Sequence, residues 1–257
     1  MIEFWLFFFL IIGAFCAGFI DAVVGGGGLI QVPLLFVLFP NMPHTNVIAS
    51  NRFASIGGTV VAARHYLKTV KVNYKYIFIA GLLTAIASYA GTYLMKSIPL
   101  YIFKPILFVL IVLLTLYTFL KKEIGQLEKP LKSTKKLYFL FAAIGFILGL
   151  YNGTIGPGTG TLLVFALVQF VGFNFLKASA YAKVINAIAD AASLFAFFLQ
   201  KVVIFKIALP MMGANIIGSY IGTKMAIKNG NKFIRLFFIV VMLFLLAKLG
   251  WDICKTF

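Results

Sequence analysis

Two polar stripes run through otherwise apolar sequence, and each is headed by a cation. Arg52, Ser55 and Thr59 form one, and Lys183, Asn186 and Asp190 form the other, with the same spacing in both. Side chains three and seven residues apart share one face of a helix. Arg52 and Lys183 stand well inside long apolar segments, deeper than an anchor at a segment end. An ionisable group at membrane depth marks a solute or ion pathway, with snorkelling toward headgroups as the alternative. A cation flanked by hydroxyls and amides, with Asn51 beside Arg52, has the chemistry of an anion site.

Glycine supplies the second candidate group. Gly25, Gly26, Gly27 and Gly28 follow one apolar run, and Gly156, Pro157, Gly158, Thr159 and Gly160 follow another. Unwound backbone at membrane depth needs a polar cavity, because lipid offers it no hydrogen-bond partner. Turn amides attract anions, so both clusters are candidate substrate-binding backbone; tight packing through small residues is the alternative. The first cluster lacks the Lys-Ser/Thr of a phosphate-binding loop. Asp21 and Asn152 stand just before the two breaks, and Asp21 is expected to accept from the amides freed there. Asp190 is expected either to neutralise Lys183 or to take up and release a proton. Asp21, Asn152 and Asp190 are therefore the candidates for coupling or gating. The sequence shows no metal-ligand cluster, nucleotide loop or Ser/His/Asp arrangement, so no catalytic residue, metal or cofactor is expected. His44 is expected in an exposed loop, and Cys16 and Cys254 as unpaired thiols in the bundle.

These residues occupy matching places because the chain repeats itself. Shifted by 131 residues, it aligns without a gap: Gly18 falls on Gly149, Asp21 on Asn152, Gly25 on Gly156, Gly27 on Gly158 and Arg52 on Lys183. Ser88-Tyr89-Ala90-Gly91-Thr92 falls on Ser219-Tyr220-Ile221-Gly222-Thr223, and Lys104 on Arg235. Residues 1–120 form one membrane repeat, 121–136 a basic cytoplasmic linker and 137–257 a second repeat. An internal repeat in so apolar a chain points to a transporter. Hydrophobic residues make up 62% of it and charged ones 11%, with a mean hydropathy of +1.04. That excludes a soluble domain. The net charge of +17 sits mostly in connectors, as cytoplasmic loops require, so no nucleic-acid partner is implied. Residues 4–20 have no preceding Lys or Arg and carry the acidic Glu3 before them, which predicts a retained first helix rather than a signal peptide.

Five apolar segments recur in each half: 4–24, 29–39, 47–66, 76–95 and 101–120, then 137–155, 161–173, 178–200, 204–225 and 233–251. The fold class is an all-α polytopic membrane protein with about 8–10 transmembrane segments. Segment 29–39 is too short to span as a helix, at roughly 17 Å against a core of about 30 Å. Open backbone through the glycines followed by a half-helix predicts a broken span in each half; the alternative is that these segments only re-enter, which gives four crossings per half and parallel halves. Five crossings per half would invert the halves, placing Lys68, Lys71, Lys75, the linker, Lys177, Lys224, Lys228 and Lys232 inside, and Lys96, Lys201, Lys206 and Lys255 outside.

The run from Gly18 to Pro33 that holds Asp21 and the four glycines, followed by Ala49-Ser50-Asn51-Arg52, resembles the sulfite exporter TauE/SafE family. Gly149 to Gly160, then Ala182-Lys183 and Asn186, supply the second copy, so the likeness covers essentially the whole chain. The resemblance implies a multi-pass permease of a bacterial or archaeal cytoplasmic (inner) membrane that moves small sulfur-containing anions such as sulfite or organosulfonates. It agrees with the anion site read from the residues. The expected partners are a small anionic solute, the lipid bilayer and a coupling ion, proton or sodium. Rival readings are a passive anion channel, a transporter of carboxylates or cations, and a membrane enzyme or sulfur relay dependent on Cys16 and Cys254.

Overall fold

The computed structural model describes residues 4–95, 125–128, 131 and 133–254. Every regular element among them is a helix. The first half gives α1 (Phe4–Val24), α2 (Gly28–Leu38), α3 (His44–Thr69) and α4 (Tyr74–Leu94). The second gives α5 (Thr134–Thr154), α6 (Thr159–Ala166), α7 (Phe175–Leu199) and α8 (Phe205–Cys254). The starts of α2, α3 and α4 recur 131 residues later as those of α6, α7 and α8, so matching sequence makes matching helices. Polar caps set several of these starts: Asn73, Ser133 and Asn174 accept from the amides of Lys75, Lys136 and Lys177. α6 runs on into a π turn (Leu167–Val171), and α8 breaks at Gly230, in the predicted connector between 204–225 and 233–251. The predicted segment 101–120 lies outside the described residues, as do Lys96, Lys104 and linker residues 121–124, 129, 130 and 132.

This is a membrane protein. Four helices among the described residues are long and apolar enough to span: Trp5–Val24, Tyr74–Leu94, Thr134–Thr154 and Phe175–Leu199. Outward positions carry Phe8, Phe78, Phe139, Ile147, Phe195 and Leu209, an apolar surface of the kind lipid covers. Cys16 lies on that exposed surface rather than inside the bundle, and His44 is no loop residue: it opens α3, half-buried, with its ring stacked 5.4 Å from Phe36.

The glycine breaks differ from the open backbone expected of them. Only Gly25, Gly26 and Gly27 separate α1 from α2, and α2 folds back antiparallel along α1. A Cβ at Gly27 would lie 2.4 Å from the Ala17 carbonyl oxygen, and one at Gly13 would lie 2.0 Å from Leu34. The reversal needs left-handed backbone, φ +80° at Gly25 and +90° at Gly26, which glycine adopts without the Cβ clash. Amides re-enter hydrogen bonding at once, with Leu29 and Gln31 donating to the carbonyls of Gly26 and Gly27. Helices α5 and α6 form the matching hairpin: the Asn152 amide reaches Thr159 at 3.4 Å near the tip, and Phe141 meets Phe173 at 6.2 Å near the base.

The two hairpins meet tip to tip. A Cβ at Gly25 would lie 2.2 Å from the Gly160 carbonyl carbon. Their bases point to opposite ends of the molecule, each closed by an apolar cluster. One holds Leu10, Leu35, Val47, Ile207 and Met211; the other holds Val24, Tyr66, Phe141, Phe173 and Phe238. The second end gathers Lys71 and the first turns of α4 and α7 with Lys75 and Lys177, tied together by the Asn73 amide on Tyr181 (2.6 Å) and the Leu176 amide on Asn231 (2.9 Å). Lys201 and Lys206 lie at the other end, where Asn46 donates to the Val202 carbonyl.

The halves exchange their fourth helices. The first part of α8 packs on α1 and α3, while α4 packs on α5 and α7. Small residues make both seams close: Gly18 lies against Asn215, Gly222 against Phe19, Gly149 against Thr84 and Gly153 against Ser88. The repeated Ser-Tyr-x-Gly-Thr motif serves this packing. Ser219 donates to the Gly18 carbonyl at 3.0 Å, and Ser88 donates to Asn152 Oδ1 at 2.8 Å. Two bundles result, one of α1, α2, α3 and the first part of α8, the other of α4, α5, α6 and α7. They face each other across α3 and α7, whose antiparallel course shows in Arg52 meeting Asp190 while Asn73 meets Tyr181.

A Cβ on Gly18 would lie 2.2 Å from the Asn215 carbonyl oxygen, whereas one on Gly213 would meet nothing within 4 Å. Gly18→Ala is expected to cost about 1–3 kcal/mol of stability, and Gly213→Ala is not, as thermal melts of the purified protein in detergent will show.

Candidate functional site

Helices α3 and α7 carry the cations, and the structure gives each a carboxylate from the opposite bundle. Arg52 Nη1 donates to Asp190 Oδ1 at 2.5 Å, and Nη2 donates to the Asn152 carbonyl at 2.7 Å. Lys183 Nζ donates to Asp21 Oδ2 at 2.7 Å. The expected pairing of Asp190 with Lys183 is therefore wrong. Seven residues on one helix are separated by about 10 Å of rise, whereas crossing helices bring side-chain tips together. None of the four residues is more than 8% exposed. Charges this buried must be paired, because desolvating either alone costs several kcal/mol.

The two pairs are unequal copies of one arrangement. Asp21 on α1 also accepts from the Gly27 amide at 3.3 Å and from Thr59 at 3.4 Å, so it does catch an amide freed by the break. At the matching place α5 has Asn152, whose carbonyl takes Arg52 and whose Nδ2 donates to Asp190 at 3.0 Å. Asn186 Nδ2 adds a third donor to Asp190, also at 3.0 Å. The carboxylate thus stands on α1 in one copy and on α7 in the other, and two cations balance two anions.

Between the hairpin tips and the α3–α7 seam lies a cavity of about 20 Å³, room for about one water molecule. It is lined by Asp21, Gly26, Gly28, Asn51, Arg52, Ser55, Thr59, Gly156, Gly158, Gly160, Asn186 and Asp190, with Pro157 and Thr159. Most of the residues singled out in the sequence are thus brought together. Four stand behind the wall. Gly25 packs on the Gly160 backbone, Gly27 on α1, Lys183 on Asp21, and Asn152 supports Arg52 and Asp190. Pro157 and Thr159, which the sequence offers only as backbone of the second break, also line the cavity because the hairpin tip turns toward it. Three buried atoms on the cavity-lining side chains have no hydrogen-bond partner: Arg52 Nε, Asn51 Oδ1 and Asn186 Oδ1. Among the described residues no group of His, Cys, Asp and Glu is placed to hold a metal ion.

Paired buried charges at the meeting point of two broken helical hairpins, inside a bundle with an apolar exterior, are the anatomy of a membrane transporter. The model of the sulfite exporter TauE/SafE family matches residues 10–249. The chain belongs to that family. A "Probable membrane transporter protein" of Haemophilus influenzae is 34% identical over 238 residues, 93% of this chain and 92% of the relative. The "Probable membrane transporter protein YfcA" of Escherichia coli K12 is 31% identical, covering 93% of this chain and 87% of its own. "Probable membrane transporter protein ORF9" of Sinorhizobium sp is 30% identical, covering 98% and 95%. No solved structure matches significantly.

In this TauE/SafE transporter the Arg52 guanidinium lies directly against the second hairpin tip. A Cβ on Gly156, at φ +88°, would sit 2.1 Å from Nη2. Gly156→Ala is expected to expel the guanidinium from the cavity and lower transport at least tenfold in a reconstituted flux assay. The ion pair makes a second expectation. Arg52→Gln or Asp190→Asn alone leaves a buried charge and costs about 3–5 kcal/mol, whereas the two together recover most of that in a double-mutant cycle of melting temperatures.

Proposed function

We propose that this membrane transporter is a secondary transporter of a small anion, a sulfur oxyanion such as sulfite or an organosulfonate, across a cytoplasmic membrane. The observation that carries the reading is Arg52. It is a buried guanidinium on the wall of the central cavity, with Nε free of protein partners and the glycine backbone of both hairpin tips around it. Guanidinium and backbone amides together suit planar or tetrahedral oxyanions. Asn51, Ser55 and Asn186 stand where they can orient the solute, and Lys183 acts through Asp21 rather than by contact.

The antiparallel course of α3 and α7 supports halves inverted in the membrane. The gathering of Lys71, Lys75 and Lys177 at one end supports that end as the cytoplasmic one. Each half then contributes one hairpin entering from its own side. The solute site lies where both tips meet, and relative movement of the bundles opens it to either side in turn. A cavity of one water's size belongs to the closed stage of such a cycle. The sulfur-anion class itself rests on the family description.

The test is sulfite counterflow in proteoliposomes, with sulfate, methanesulfonate, taurine, a dicarboxylate and a cation as competitors. Saturable exchange accelerated by internal sulfite is expected, and flux without exchange acceleration describes a channel instead. Arg52→Gln combined with Asp190→Asn keeps the cavity charge-balanced and is expected to weaken anion binding about ten- to a hundredfold, the worth of one charge-assisted bond of 1.5–3 kcal/mol.

A further inference from the structure

Asp190 and an incoming anion want the same partner. The carboxylate holds Arg52 Nη1 at 2.5 Å, and the cavity has no room for a solute while that contact stands. An anion that takes the guanidinium leaves a fully buried carboxylate without its counter-ion, a state several kcal/mol uphill unless the charge is removed. A proton removes it. With a monovalent anion the cavity then holds Arg52, the anion and a neutral acid, and its net charge is unchanged.

The surroundings of Asp190 suit both protonation states. Its other donors are amides, Asn152 Nδ2 on Oδ1 and Asn186 Nδ2 on Oδ2, each at 3.0 Å. An amide has a donor end and an acceptor end. Turning the Asn186 side chain over would present Oδ1, now buried without a partner, to the O–H of the neutral acid. Among the described residues, the other groups around it offer no second cation free to replace Arg52, since Lys183 is held by Asp21. α1 brings Asp21, already held by Lys183 of α7; α4 brings Ser88, bonded to Asn152; α5 brings Tyr151, whose hydroxyl donates to the Pro157 carbonyl at 2.6 Å; α6 brings Thr159. Asp21 differs in kind, since its partner Lys183 does not line the cavity and no anion there competes for it.

We infer that the transported anion crosses together with one proton, and that Asp190 is the binding site of that proton. Arg52 is exchanged between Asp190 and the solute. The inference rests on the anion-transport reading above. Binding and protonation favour each other reciprocally, so anion affinity rises as pH falls, by up to tenfold per pH unit for one proton. The reverse step on the far side returns Arg52 to Asp190 and expels anion and proton into the same compartment.

The experiment uses the full chain in proteoliposomes with sulfite as the solute and a trapped pH dye. Sulfite uptake is expected to acidify the lumen, to be driven by an inward proton gradient and to ignore a sodium gradient. In Asp190→Asn, which carries the neutral shape permanently, the pH dependence of sulfite affinity flattens and the proton gradient no longer drives accumulation. A proton carried by hydrogensulfite itself would persist in that variant, so drive that survives in Asp190→Asn overturns the assignment. Sulfite flux without proton movement in the wild type overturns it too, and leaves anion transport standing. Absence of sulfite flux and binding altogether sinks the anion reading and this inference with it. Where the variant does not fold, the same wild-type measurement with methanesulfonate, which has no proton of its own to carry near neutral pH, decides the matter: uptake with proton movement supports the assignment, and uptake without it overturns it.

Discussion

Four charged groups are buried at the centre of this bundle, and the constraint that they be paired governs how the rest is arranged. A lone carboxylate or guanidinium at that depth would be several kcal/mol uphill. The chain meets the constraint by crossing partners: Arg52 of α3 with Asp190 of α7, and Lys183 of α7 with Asp21 of α1. Both bonds join the two bundles to each other.

Bringing those charges together depends on two hairpin tips that touch. Gly25 and Gly160 are in backbone contact, and any Cβ between them would force the tips apart. The tips place freed amides beside the ion pairs, and the Gly27 amide on Asp21 shows one such donor in use. Apolar clusters at the two ends close the molecule above and below, so polarity is confined to a central layer.

The exchange of fourth helices changes which parts can move. Rocking of one sequence repeat against the other would tear α1 from α8 and α4 from α5, the closest seams in the structure, joined through Gly18, Gly149, Gly153 and Gly222. Movement along the α3–α7 seam breaks the two ion pairs, the tip contact and the Asn73–Tyr181 bond, and slides apolar side chains such as Phe53 on Phe198. The units that helix packing holds together are the mixed bundles, each containing helices of both halves.

The sequence by itself determined the membrane setting, the two-copy plan, the short second helix of each half and most of the cavity wall. Those are written locally, in hydropathy, in the 131-residue offset and in glycine runs that no apolar helix tolerates without cause. It placed Arg52, Asn186 and Asp190 correctly on inward helix faces, because three-residue spacing is a property of one helix. Tertiary structure alone decided who pairs with whom. Lys183 and Asp190 share a face, yet rise along the helix separates them, and each finds its partner on a helix more than a hundred residues away. It also decided that the glycine breaks turn back rather than run on, and that Gly25, Gly27, Asn152 and Lys183 stand behind the cavity wall. Turn direction and helix exchange depend on how far one backbone can approach another, and no stretch of sequence states that on its own.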